Sequence, residues 1–236
     1  MIIPTDEIGI ADWLVNSIYP FENHVAGSVM PPNYEAYARI LHPASTDSGN
    51  VTWKDIAKWS GRVYHPAMQF EAIATPVLGR ILSPRPWNGQ VPNYLPRDQV
   101  KALAQLLSPF TETSNKMWYL VWEGHGDLPR SSQFTVECSH RHYYLFRGDI
   151  DDIRDREIPE HHWEPPDYWF PEDKSWCVAT DIDLYWTYVG GSRKCIDAIL
   201  RCQDLESVPA ELTHGLTVES DIVNRLSAEE KLKWGV

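Results

Sequence analysis

The clearest alternation of apolar and polar side chains in the chain runs over residues 176–189. Even-numbered residues of this stretch form an apolar face, and the opposite face includes Asp181 and Asp183. A period of two with one apolar face predicts a half-buried β-strand. On this interpretation Ile182 and Leu184 are buried, whereas Asp181 and Asp183 point to solvent or into a cleft.

Helices are predicted where apolar residues recur at a spacing of three or four and a capping residue precedes them. After the strand, Gly190 and Gly191 stop extended structure, and Ser192 is a suitable N-cap for the helix that follows. The same reasoning predicts helices over 6–18, 52–60 and 96–107, a short one ending near 73, a short acidic helix or turn ending near 156, and a helix ending at 234.

Further strands are predicted at 34–43, 117–122, 134–138 and 143–147. The stretch 117–122 is apolar at every position, which is typical of a strand covered on both faces in the middle of a sheet. These elements predict the α+β class, with a mostly antiparallel sheet and helices packed on one face. Because helices and strands are interleaved and no linker divides them, we expect 1–236 to form a single domain.

The net charge of the protein limits the kinds of partner that it is expected to bind. The formal net charge is −12, which argues against nucleic acid and anionic membrane as partners, because phosphate binding needs clustered Lys and Arg. Residues 149–183 hold twelve Asp and Glu against three Lys and Arg, together with many aromatic residues. This segment is a candidate binding surface for a basic protein partner, with the following candidate residues: Asp151, Asp152, Asp155, Trp163 and Trp169.

The chain shows no signal peptide and no run of eighteen apolar residues, so we expect a cytoplasmic protein. Its four cysteines form no CxxC pair, and in the cytoplasm they are expected to be free thiols. Eleven Trp and eleven Tyr are unusual for this length, and large aromatic side chains mostly fill cores.

A first candidate metal site lies at the end of a predicted strand. If that strand continues, Cys138, His140 and His142 share a face, and a His-x-His pair on a strand recurs in zinc and iron sites. A remote His161, His162 or Asp167 would complete the ligand set. The alternative without a metal is a turn, which Ser139 and Arg141 favour. Elsewhere in the chain, His125 in Gly-His-Gly is interpreted as a turn or surface residue.

A second metal site is conceivable at Asp181 and Asp183. Two Asp one residue apart on a strand match the acidic half of the nucleotidyltransferase pattern, in which paired carboxylates hold magnesium. That pattern places a glycine pair before the acids, whereas Gly190 and Gly191 come after them. Solvated acids on the open face of a sheet are the alternative. No nucleophile elbow, Walker loop or dinucleotide fingerprint is present, and we expect no cofactor.

Three stretches together resemble a group of uncharacterised bacterial proteins of similar length. They are YEAYARILHP at 34–43, residues 95–110, and the run from Pro-Glu-Asp at 171 through WCVATDID to Tyr-Val-Gly-Gly at 188–191. The resemblance covers most of the chain and implies a compact bacterial cytosolic protein. It implies no activity, cofactor or catalytic residue.

Two functions follow from these observations as hypotheses. The first is a non-catalytic binding or interaction protein, of an immunity or regulatory type, that uses the acidic segment against a basic partner. The alternative is a metal-dependent enzyme, a hydrolase or a nucleotidyltransferase-like protein, that uses either the Asp pair or the His pair.

Overall fold

The computed structural model describes residues 2–47, 49–80, 83–125, 135–154 and 165–235. Its helices are α1 Asp12–Val15, α2 Trp53–Ser60, α3 Phe70–Ala74, α4 Arg97–Leu107, α5 Ile150–Arg154, α6 Arg193–Arg201 and α7 Ala228–Trp234. Its strands are β1 Ile3–Pro4, β2 Ala36–Leu41, β3 Ala44–Thr46, β4 Gly49–Val51, β5 Met117–Trp122, β6 Val136–Cys138, β7 Arg141–Gly148, β8 Tyr168–Pro171, β9 Trp176–Thr180, β10 Trp186–Gly191 and β11 Ser207–Ala210.

Within the described ranges, nine strands form one sheet in the order β1-β7-β5-β8-β9-β10-β2-β11, and β6 also pairs with β7. Every pair in it is antiparallel. The α+β class and the antiparallel sheet are therefore confirmed. Strands from near both ends of the chain belong to this sheet, in keeping with the expectation of a single domain, which stays a prediction.

Both faces of the sheet are covered, because the central strands send alternate side chains into two separate cores. On β5, Met117 and Tyr119 join one core and Trp118 and Leu120 the other. Helices α4, α5 and α6 cover the first face. The second face is covered as well, by α1, α2, α3 and parts of the loop at 83–96.

The predicted helix ends are confirmed where a capping side chain marks them. The Thr52 hydroxyl accepts the Asp55 N–H at 3.1 Å, and α2 ends at Gly61 in the left-handed conformation (φ 81°). Ser192 caps α6 in the same way, accepting the Cys195 N–H at 3.3 Å. The first predicted helix is shorter than expected: within 6–18, a 3₁₀ turn at Ile8–Ala11 precedes α1.

The prediction of one strand over 176–189 is wrong, because this stretch is a hairpin. Strand β9 ends at Thr180, residues 181–185 turn, and β10 runs back with Thr187 opposite Thr180. The turn reverses the parity, so Trp176 faces one core and Trp186 the other. Alternation did not reveal the turn because both faces of the sheet are apolar.

The turn also changes the burial that was predicted for its residues. Asp181 is only 4% exposed and Leu184 6% exposed, whereas Ile182 is half-buried and Asp183 exposed. The prediction is thus confirmed for Leu184 and Asp183 and wrong for Asp181 and Ile182.

Among the residues that the structure describes, no helix has both the length and the apolar character to cross a membrane.

Candidate functional site

Two adjacent cavities lie where β5 and β9 end and β8 and β10 begin. The outer cavity, about 1120 Å³, is lined mainly by the loop at 83–96 and by the β9–β10 turn. The inner cavity is smaller, about 270 Å³. Asn93, Tyr94 and Ile182 line both, and the Asn93 side-chain amide donates to the Ile182 carbonyl at 2.9 Å. The two cavities together form one cleft at the loop end of the sheet.

Asp167 lines the inner cavity, and backbone hydrogen bonds fix its position at the start of β8. Its Oδ2 accepts the Trp122 N–H at 2.7 Å, its N–H donates to the Leu120 carbonyl at 2.9 Å, and its carbonyl accepts the Thr180 N–H at 2.7 Å. His125 Nε2 lies 3.5 Å from the same Oδ2. The second oxygen, Oδ1, accepts no hydrogen bond from the residues that the structure describes.

Aromatic side chains form much of the remaining wall. Trp122 and Tyr94 line the inner cavity, and the His125 ring stands edge-on to Trp122 at 5.4 Å. The outer cavity adds four aromatic or basic side chains: Phe70, Trp87, Tyr185 and Arg85. An aromatic face beside a carboxylate is an arrangement that attracts cations, through the ring quadrupole and through charge.

A buried hydrogen-bond chain holds the cleft loop against the sheet. Burial lowers the pKa of His42 to about 3, so the imidazole is neutral. Its Nδ1 faces the Pro92 carbonyl at 2.9 Å, an acceptor, so Nδ1 carries the proton. Nε2 therefore accepts the Thr187 hydroxyl at 2.9 Å, and Thr187 accepts in turn from Thr180 at 2.7 Å. Thr180 lines the inner cavity, so this chain fixes one of its walls.

In the structure, Asp181 and Asp183 both contact the side chain of Arg141. Arg141 Nη2 lies 2.6 Å from Asp183 Oδ2 and 3.3 Å from Asp181 Oδ1. Burial raises the pKa of Asp181 although Arg141 lies beside it. Within the described part of the chain, no group of three or more His, Cys, Asp or Glu could hold a metal ion. Arg141 supplies the positive charge that the predicted metal ion would have supplied.

The other predicted metal ligands do not converge. Ser139 and His140 form a tight turn in the left-handed conformation (φ 50° and 63°), so β6 does not continue through the histidines. His142 pairs with Glu137 across the hairpin, whereas Cys138 pairs with Arg141 and is buried on the other face. His140 instead contacts Glu22, with 3.1 Å between Nε2 and Oε1. The turn alternative from the sequence is the one observed.

Over its described residues, 149–154 and 165–183, the acidic segment does not form one surface. Asp151 is exposed in the first turn of α5. Asp149 Oδ1 caps that helix by accepting the Asp151 N–H at 3.0 Å, and Asp152 Oδ2 accepts the Asp149 N–H at 2.9 Å in return. Trp169 is 1% exposed and packs edge-on against Trp176 at 5.4 Å, so it is a core residue and not a surface one. Asp155 and Trp163 lie outside the described residues.

The segment divides because β8 and β9 run through it. Asp149 and Glu172 lie at the end of the sheet where Met117 pairs with Gly148 and Pro171. Asp167 and Asp181 lie at the opposite end, beside the cleft. The sequence analysis assigned His125 to a turn or to the surface and did not identify Asn93 or Tyr94 as site residues. The one feature in the sequence that could have indicated them is that each lies in a loop at or near a strand end.

Comparisons with protein-family models, with curated proteins and with solved structures found no match to this chain.

Proposed function

We propose that the protein is a non-catalytic binding protein that holds a Lys or Arg side chain of a basic partner in the inner cavity. The observation that carries the proposal is Asp167, whose Oδ1 accepts no hydrogen bond from the described residues although the side chain is only 6% exposed. A carboxylate held in this way, beside the indole of Trp122, is a counter-ion for a cation.

The sizes of the two cavities support a side chain as the ligand. Sites for small molecules usually measure about 300–1,000 Å³. The inner part of the cleft, at about 270 Å³, is near the lower end of that range and has room for one long side chain. The outer cavity, at about 1120 Å³, offers aromatic and amide groups to the flanking residues of the partner.

The negative net charge of the protein supports a positively charged partner. A protein of formal charge −12 attracts basic partners over distances of about a Debye length, and this attraction speeds association. Salt therefore should weaken binding. The metal-dependent alternative has less support, because its two predicted ligand sets are engaged elsewhere: the Asp pair on Arg141, and His140 on Glu22.

Short capped peptides test the proposal directly. Wild-type protein is titrated with acetyl-Gly-Lys-Gly-amide and acetyl-Gly-Arg-Gly-amide, and the indole N–H signal of Trp122 is followed by NMR. The matched control peptide carries Nε-acetyl-lysine, which keeps the length and removes the charge. We expect binding of the charged peptides, weaker at high salt, and no binding of the acetylated one. Equal binding of both lysine peptides would overturn the proposal.

A pair of variants locates the site. Asp167→Asn keeps an oxygen that accepts the Trp122 N–H but removes the charge, and we expect a loss of about 2 kcal/mol, roughly a thirtyfold rise in Kd. Asp151→Asn removes an exposed charge at the opposite end of the sheet and should leave Kd unchanged. The reverse result, with loss only in Asp151→Asn, would place recognition on the α5 end of the acidic segment instead.

A further inference from the structure

Arg39 on β2 is a cation inside the protein core. The residue is 1% exposed, and its guanidinium lies over the Trp186 ring, with 3.7 Å from Cζ to the ring centroid. On one side Nη1 donates to the Met68 carbonyl at 2.6 Å and, more weakly, to the Pro66 carbonyl at 3.3 Å. These bonds fix the guanidinium plane.

The other edge of the guanidinium has no acceptor. Nε and Nη2 are both buried, and neither donates a hydrogen bond to any residue that the structure describes. These two N–H groups lie side by side and form the fork that binds a planar carboxylate through two parallel hydrogen bonds.

A neighbouring hydroxyl group also lacks an acceptor. The Tyr188 hydroxyl is buried and donates to none of the described residues, whereas the Trp186 indole N–H interacts with the Tyr188 oxygen. Tyr188 pairs with Arg39 across β10 and β2, so the two side chains leave the sheet on the same face. Three donors without an acceptor, Nε and Nη2 of Arg39 and the Tyr188 hydroxyl, therefore lie in one region of the core.

No carboxylate contacts the guanidinium directly. Within the described residues Arg39 forms no ion pair, although the charges of Asp221 and Glu71 lie close enough to raise its pKa. The two oxygens of Asp221 accept hydrogen bonds from other partners: His65, the Gln69 N–H and Asn224. Burial lowers the pKa of Arg39 to about 10, which still leaves it charged at neutral pH. A buried charge without an ion-pair partner destabilises the folded state, and buried donors without acceptors are rare in native proteins.

We propose that Arg39 binds a small planar oxyanion of the carboxylate or bicarbonate class through Nε and Nη2, with the Tyr188 hydroxyl as a further donor. Because Arg39 is only 1% exposed, the proposal is restricted to the smallest planar oxyanions, formate and bicarbonate. The site is on the α2 side of the sheet, in the core that contains Trp53 and Trp186, and it is independent of the cleft at Asp167.

The test measures anion-dependent stability and anion content. Purified wild-type protein is exchanged into a sulfonate buffer, and thermal unfolding is followed with added formate, bicarbonate or chloride at constant ionic strength. We expect Tm to rise with the logarithm of the formate or bicarbonate concentration once it exceeds Kd. A tightly held anion would give no rise but would appear by ion chromatography after the protein is denatured.

Variants tie the response to the fork. Arg39→Met removes it, Arg39→Lys keeps the charge without the two parallel donors, and Arg193→Met removes an exposed arginine as the control. We expect the response, or the co-purified anion, to persist only in wild type and Arg193→Met. If the Arg39 variants do not fold, Tyr188→Phe keeps the fork and should raise the Kd for formate several-fold.

Three outcomes would overturn the proposal. The first is a wild-type protein that neither responds to these anions nor releases one, since water would then fill the site. The second is an equal response in wild type and Arg39→Lys. The third is a chloride response as large as that of formate, which would indicate a site for spherical ions.

Discussion

Arg141 Nη2 lies 3.3 Å from Asp181 Oδ1, at a carboxylate that is only 4% exposed. Burial nevertheless raises the pKa of Asp181, so desolvation outweighs the attraction of the guanidinium. The acid that the sequence places on an open face is therefore a buried one, held in a turn by Arg141 and by the Asp183 N–H at 2.9 Å.

This relationship predicts the sign of a pH effect. Because the pKa of Asp181 is higher in the folded state than in the unfolded state, the folded protein binds this proton more tightly. The contribution of Asp181 to the free energy of unfolding should fall as pH rises from about 4 through the raised pKa. Asp181→Asn should remove this slope in denaturant unfolding measured across that range.

The control for this measurement is Asp183→Asn. Asp183 contacts the same guanidinium, but its side chain is 67% exposed, so its charge is solvated. We expect its removal to reduce the pH slope only slightly, because burial is the largest cause of the raised pKa of Asp181 and the charge of Asp183 is a smaller one. A slope that survives in Asp181→Asn and disappears in Asp183→Asn would contradict the burial assigned to the two acids.

Two alanine substitutions in the β9–β10 turn distinguish the hairpin from a continuous strand. Leu184 is 6% exposed, and Leu184→Ala should lower the free energy of unfolding by about 2–5 kcal/mol. Ile182 is half-buried at the cavity wall, so Ile182→Ala should cost clearly less. Equal costs, measured by denaturant unfolding, would favour a strand in which both side chains are buried.

His42 should stay neutral in the folded protein well below the pH at which free histidine is protonated. Its folded-state pKa is about 3 against an ordinary value of 6.5, so only the unfolded chain takes up this proton between the two values. Its contribution to stability is present above pH 6.5 and is lost as pH falls below it. The ¹⁵N shifts of the His42 imidazole, followed against pH, check this directly.

Thr187→Val tests the hydrogen-bond chain of which His42 is part. Valine has the shape of threonine but no hydroxyl, so Nε2 of His42 loses its donor and Thr180 loses its partner. We expect a loss of about 1–3 kcal/mol in the free energy of unfolding. Thr217→Val is the control, because Thr217 lies in the 210–220 loop and takes no part in these hydrogen bonds. An equally large loss of unfolding free energy in Thr217→Val would contradict a special role for Thr187.

The cysteines should react in two classes. All four are free; Cys138, Cys177 and Cys195 are buried, and Cys202 is half-exposed. Burial raises the pKa of Cys138 to about 11 and of Cys195 to about 12, which suppresses the reactive thiolate. In a disulfide-exchange assay on native protein we expect one fast thiol, absent in Cys202→Ser, and four thiols after denaturation. More than one fast thiol in the native protein would contradict the burial.

The sequence predicted most elements where one local cause was sufficient. The wholly apolar run at 117–122 is the central strand β5, and Thr52, Ser192 and Gly61 mark helix ends because capping depends on residues within one turn. The hairpin at 176–191 was not predicted, because a sheet buried on both faces shows no polar face to reveal the change of direction.

The candidate site was decided by tertiary structure alone. Asp167, His125, Asn93 and Thr180 are separated by up to 87 residues along the chain, and they meet only because the antiparallel order of β5, β8 and β9 brings their ends together. The same order divides the acidic segment between opposite ends of the sheet. By itself the sequence determined the fold class, the capped helices and the central strand, because local propensity and periodicity act over a few residues. Only the pairing of distant strands decided which charges face a cavity, which face an arginine, and which cation is left buried.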